Sequence, residues 1–176
     1  FLKAEAMALW AVRSAQAQDV PQHALAFLRR HEQEEEKHLR EFEGILDTRS
    51  VEKTVLPQVP RQWCALAVQL FGYEALGLEF AQLLASVRSD LSLILEDEKA
   101  HVDFYEREIR RVLGDGDGRA RVARDFARAW WRRLPRTVDR YLSADELAPY
   151  RAELRRSILA SIERRFVSVG LFDLKV

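Results

Sequence analysis

Two histidines each follow a glutamate by three residues, in Glu35-Glu36-Lys37-His38 and Glu98-Lys99-Ala100-His101. Each pair lies in a run whose apolar residues recur at helical spacing. On an α-helix a step of three turns through about 300° and rises ~4.5 Å, so both side chains leave one face close enough to ligate the same ion. A single Glu-x-x-His also occurs on solvated helix surface, and Glu34 to Glu36 form an acidic run. Duplication of the pattern predicts two ions, and the symmetry of the chain adds to it.

Two more acids interrupt apolar helical faces: Glu5 in Ala4-Glu5-Ala6-Met7-Ala8-Leu9-Trp10 and Glu74 in Leu70-Phe71-Gly72-Tyr73-Glu74-Ala75-Leu76. An isolated carboxylate on a buried face is costly unless something compensates its charge. Glu5 and Glu35 are equidistant from residue 20, where Asp19-Val20-Pro21 marks a break. Glu74 and Glu98 are equidistant from residue 86, where Ala85-Ser86-Val87-Arg88-Ser89 supplies a turn. In an antiparallel pair of helices, residues equidistant from the turn lie at one height. Each hairpin therefore sets one lone glutamate level with one Glu-x-x-His pair.

On Glu5, Glu35-x-x-His38, Glu74 and Asp97-Glu98-x-x-His101, residues 1–113 resemble the ferritin-like di-iron carboxylate superfamily, whose four-helix bundles hold a pair of ions on four glutamates and two histidines. The Asp-Glu-x-x-His form is similar to that of ribonucleotide reductase small subunits and bacterial multicomponent monooxygenases, which are much larger proteins. No subfamily is assigned. In this reading Glu35 and Glu98 bridge two ions, Glu5 and Glu74 each bind one terminally, and His38 and His101 complete the shells. The ions are iron, with manganese or a mixed pair as alternatives, because oxygen and imidazole donors suit these metals.

Ligating imidazoles usually donate their other N–H to a carboxylate. Asp97 is placed to serve His38 and Glu34 to serve His101; the alternative is that both acids are solvated neighbours in charged runs. Tyr105, four residues after His101, lines the site or merely packs. Gly77, three after Glu74, leaves room above the metal face or permits a close helix contact. Glu79 lies about 140° round the helix from Glu74 and is not assigned as a ligand. His31 and His23 are read as ordinary histidines.

These residues need four helices to hold them, at about 1–18, 22–47, 61–85 and 89–113. Between the second and third, Thr48 to Pro60 reads as extended and proline-bounded; about 13 residues can span ~40 Å, enough to cross from one end of the bundle to the other. Gly114-Asp115-Gly116-Asp117-Gly118 is a linker, lacking the closing glutamate of an EF-hand loop. Residues 119–176 form a C-terminal helical extension. A fifth helix at 119–134 sets Ala123, Phe126, Ala127, Trp130 and Leu134 opposite Arg121, Arg124, Arg128 and Arg132. Ser143-Ala144-Asp145-Glu146 reads as a capping box opening a last helical region to Val169, whose stripe of Leu154, Ile158, Ile162 and Phe166 packs on the bundle or on a partner subunit. The fold class is therefore all-α.

The 176 residues suffice for one domain with a real core, and the single cysteine, Cys64, excludes a disulfide framework or a four-cysteine iron site. No uncharged apolar run reaches 18 residues, so no membrane span is expected. A cytoplasmic location is the expectation, although the chain begins at Phe1 and targeting is left open. Charge is uneven: residues 1–117 carry 14 Lys/Arg against 21 Asp/Glu, and residues 118–166 carry 13 Arg against 6 acids.

The resemblance implies a di-iron oxidase or oxygenase that activates dioxygen or peroxide to oxidise a small organic substrate, with an external electron donor and a homodimer as expected partners. An alternative is iron oxidation and storage or peroxide detoxification, as in ferritin or rubrerythrin. A second alternative is a non-enzymatic helical module whose basic segment 119–134 meets nucleic acid or, through Trp130 and Trp131, a membrane surface.

Overall fold

Leucine, alanine, glutamate and arginine dominate the chain and favour helix, while glycine and proline are confined to a few positions. The computed structural model describes residues 2–50, 58–116 and 118–173, and among them are seven α-helices and no strand. Helices α1 (Leu2–Ala15) and α2 (Gln22–Leu46) form one hairpin. Helices α3 (Trp63–Val87) and α4 (Ser92–Gly114) form another, with a 3-10 turn at Ser89–Leu91 between them. Three shorter helices follow: α5 (Gly118–Trp131), α6 (Leu134–Tyr141) and α7 (Arg151–Ser168).

Helix α1 packs along α2 and α3 along α4; α1 also touches α3, and α2 touches α4. Arg13 fixes the first hairpin by donating to Glu32 at 2.7 Å and pairing with Glu36 one turn further along. A backbone bridge between Asp19 and Gln62 sets the start of α3 beside the α1–α2 turn. The 25 residues of α2 rise about 37 Å, so Leu46 lies at the far end of α2 from Gln62. Of the segment expected to be extended there, residues 51–57 fall outside the described residues, as does Asp117 of the linker.

Helix α3 is the axis of the molecule. Its residues Leu66, Ala67, Val68, Leu70 and Phe71 are fully buried, each large one contributing about 1.5–3 kcal/mol by leaving water. By length and composition α3 could cross a membrane, but 78% of its apolar window is buried within the protein, covered by α1, α4, α5 and α7. Gly72 permits the closest of these approaches: a Cβ there would fall 2.5 Å from the Trp130 ring. That ring in turn stacks on Phe166 of α7, with centroids 5.4 Å apart.

The extension differs from the sequence reading in two places. The fifth helix stops at Trp131, and a separate α6 begins at Leu134 with Pro135 in its first turn, because proline's fixed φ suits a helix start and its ring disrupts a helix interior. The Ser143 to Glu146 capping box does not form. A 3-10 turn occupies Asp145–Leu147 without a side-chain cap, and α7 begins only at Arg151. The Arg151 guanidinium donates to the carbonyls of Leu142, Ser143 and Ala144, satisfying acceptors left bare where α6 ends. The apolar stripe of α7 meets α3: Ile158, Ile162 and Phe166 are buried.

Candidate metal centre

The six residues singled out from spacing come together inside α1–α4. Glu5 on α1, Glu35 and His38 on α2, Glu74 on α3, and Glu98 and His101 on α4 are all buried. The buried apolar residues form two clusters, a main core and a small one of Phe42, Leu91 and Ile94. Two groups of donors form, each with its ligand atoms within 4.8 Å of one another: Glu5, Glu35 and His38 in one, and Glu35, Glu74, His101 and His31 in the other. Glu35 belongs to both. Glu98 closes on the first group, its Oε1 lying 3.9 Å from His38 Nδ1.

The two imidazoles are oriented alike. His38 Nε2 donates to Asp97 at 3.1 Å, and His101 Nε2 donates to Glu34 at 2.9 Å. In the neutral form that a metal would bind, with Nε2 carrying the proton, the lone pair of Nδ1 faces inward on both rings. His38 Nδ1 and His101 Nδ1 are buried without a hydrogen-bond partner, as are one carboxylate oxygen each of Glu5, Glu35 and Glu98. His101 Nδ1 lies 3.3 Å from Glu74 Oε2, near enough for strong attraction but poorly aligned for a bond. Buried polar atoms are almost always partnered. Five bare donor atoms in and beside the two adjoining groups, offering carboxylate oxygen and imidazole nitrogen, match what a pair of divalent ions requires.

Protons now supply the compensating positive charge. For His101 burial acts to lower the pKa, but hydrogen bonding to Glu34 and the field of Glu74 and Glu35 prevail and push it up to about 10. For His31 burial likewise opposes, and the nearby Glu74 carboxylate raises it. Burial and the charges of neighbouring carboxylates hold Glu5 and Glu98 well above the usual range. Glu74 moves the other way: burial would raise it, but His31 and His101 hold it far below the usual range.

His31 is the residue the sequence reading set aside. It is fully buried, its Nε2 donates to Glu35 at 3.2 Å and sits 3.3 Å from Glu74, and its ring lies 3.8 Å from that of His101. The signal was present in the sequence, since His31, Glu35 and His38 occupy one stripe at steps of four and three. Tyr105 is also fully buried and hydrogen-bonds His31 Nδ1 at 3.2 Å, supporting the donor group from behind. Gly77 has a definite role: a Cβ there would lie 2.9 Å from Glu98 Oε2. Outside the cluster, Glu79 accepts from Ser161 of α7. His23 lies 2.9 Å from the buried Glu108, which also accepts from Trp63 Nε1.

Compared with known protein families, curated proteins and solved structures, the chain matches none.

Proposed function

We propose that α1–α4 form a ferritin-like four-helix bundle holding two iron ions, or manganese or a mixed pair, and that the protein is a di-iron oxidase or oxygenase acting on a small organic molecule. The observation that carries this reading is the convergence of five buried, unpartnered donor atoms from Glu5, Glu35, His38, Glu98 and His101. The paired packing of α1 with α2 and α3 with α4, and the Asp19–Gln62 bridge that sets the start of α3 beside the α1–α2 turn, support the bundle.

Glu35, common to both donor groups, is the natural bridge, with Glu98 opposite it. Glu5 and His38 complete one shell, and Glu74 and His101 the other. Four carboxylates balance the charge of two divalent ions, so the loaded centre is near neutral and tolerates burial. Asp97 and Glu34 fix the tautomer of each imidazole and raise its basicity. When bound, iron(II) would supply electrons that reduce dioxygen or peroxide, and an external donor would restore them. His31, hydrogen-bonded to Glu35 and Tyr105 and beside Glu74, steadies two of the carboxylates.

Storage of iron is disfavoured by the extension: α5 and α7 pack on α3, with Trp130 and Phe166 built into the core. The same burial of Trp130 removes it as a membrane anchor. The test is anaerobic iron(II) loading followed by exposure to oxygen. Two irons per chain and oxygen uptake with them bound support the proposal; iron absent, or held only at exposed acids, refutes it.

A further inference from the structure

A cavity of about 660 Å³ opens beside the centre, bounded by α1, α3 and α6. Its floor is Glu5, Glu74 and Glu98 with Gly77 between them, whereas the three clustered histidines and Glu35 do not line it. The centre is thus open on its carboxylate side and closed on its imidazole side. The volume is that of a small organic molecule, far more than dioxygen needs.

The walls are apolar and aromatic, including Ala8, Phe80 and Tyr141. Tyr141 packs edge-on against Phe80 with centroids 5.6 Å apart. The side facing α3 comes from the extension, since Thr137, Arg140 and Tyr141 share one face of α6. At the rim stand two exposed cations, Lys3 and Arg140, and among the described residues neither forms an ion pair. Among the described residues that line the cavity, the carboxylates are the three on its floor, and none stands at the rim.

Resting on the reading above for its role as substrate, we propose that this cavity binds an organic acid with an apolar body, the body lying over Gly77 against Phe80 and Tyr141 and the carboxylate held by Arg140 and Lys3. Guanidinium recognition of a carboxylate orients the molecule, so its apolar end points toward the floor. The extension is then part of the binding site, with α6 supplying one wall and half of the charge.

The probe is 4-phenylbutyrate, titrated calorimetrically into the full chain with and without anaerobically loaded iron, beside its uncharged analogue 4-phenylbutanol. Binding of the acid should be roughly tenfold tighter than that of the alcohol. Arg140→Gln and Lys3→Gln should each weaken the acid by a similar factor and leave the alcohol unchanged, and Ala8→Phe, which fills the cavity, should abolish both. Equal binding of acid and alcohol, no binding of either, or acid binding unaffected by both rim substitutions overturns the inference, the last because it would place the carboxylate on the metals. Iron content of the same samples separates the two readings: two irons without probe binding defeats this inference alone, and charge-selective probe binding without iron defeats the metal reading alone.

Discussion

Asp97 on α4 accepts a hydrogen bond from His38 on α2 at 3.1 Å, and the pair has a mirror image in Glu34 on α2 and His101 on α4, at 2.9 Å. Each supporting acid immediately precedes a motif glutamate and reaches the histidine of the other motif. The two helices therefore orient one another's imidazoles. Replacing Asp97 by Asn or Glu34 by Gln should lower metal affinity by about 10–100-fold while two ions still bind at saturation. Competition titration against a chelator measures this; unchanged affinity would make these acids bystanders.

Carboxylates crowded without metal oppose folding. Glu98→Gln should therefore stabilise the metal-free protein by about 1 kcal/mol, an ordinary size for a single substitution, or ~2–4 °C in Tm for a chain of this size. The same change should abolish the paired-ion site. Thermal melts with and without iron(II) test both halves, and a fall in metal-free Tm would show that the cluster is not repulsive.

Stability of the metal-free protein should fall as pH rises. His101 is raised from 6.5 to about 10, so its contribution is complete below 6.5 and is lost as pH climbs toward 10. Glu5 and Glu98, raised above 4.5, bind more protons folded than unfolded and act in the same direction. Glu74 is lowered, and its contribution is lost only as pH falls below the ordinary carboxylate range. Metal must displace these protons, so affinity for iron(II) should increase over the same window. Melts at a series of pH values, with and without metal, should diverge as pH rises; parallel curves would contradict the proton assignment.

Two glycines on α3 should respond differently to alanine. At Gly72 the new Cβ would meet the Trp130 ring at 2.5 Å, and overpacking of this kind costs about 1–3 kcal/mol. Metal stoichiometry should survive that change. At Gly77 it would meet the Glu98 carboxylate at 2.9 Å, the movable end of a side chain. Gly77→Ala should fold normally and bind metal more weakly. Melting temperature and metal content, measured on both variants, separate the two effects.

Chain symmetry carried much of this arrangement into the sequence. The distances of Glu5 and Glu35 from residue 20, and of Glu74 and Glu98 from residue 86, located the level of the cluster because antiparallel helices preserve height about their turn. Helical spacing located α1–α4 to within a few residues, since long amphipathic stripes fix a period. Two things were hidden. His31 shares the Glu35 stripe, but whether a histidine one turn away faces the interior depends on what α3 and α4 place opposite it, here Glu74 and Tyr105. The late start of α7 accompanies the reach of Arg151 back to three carbonyls, a contact between positions that no local pattern relates.

The most direct test is a crystal of iron-loaded protein recorded at the iron absorption edge. Two anomalous peaks between Glu35 and Glu98, one contacted by His38 Nδ1 and Glu5 and the other by His101 Nδ1 and Glu74, are the expected result. Absence of density among these residues in fully loaded crystals, or a single ion held by His31 in place of the bridging pair, would contradict the account.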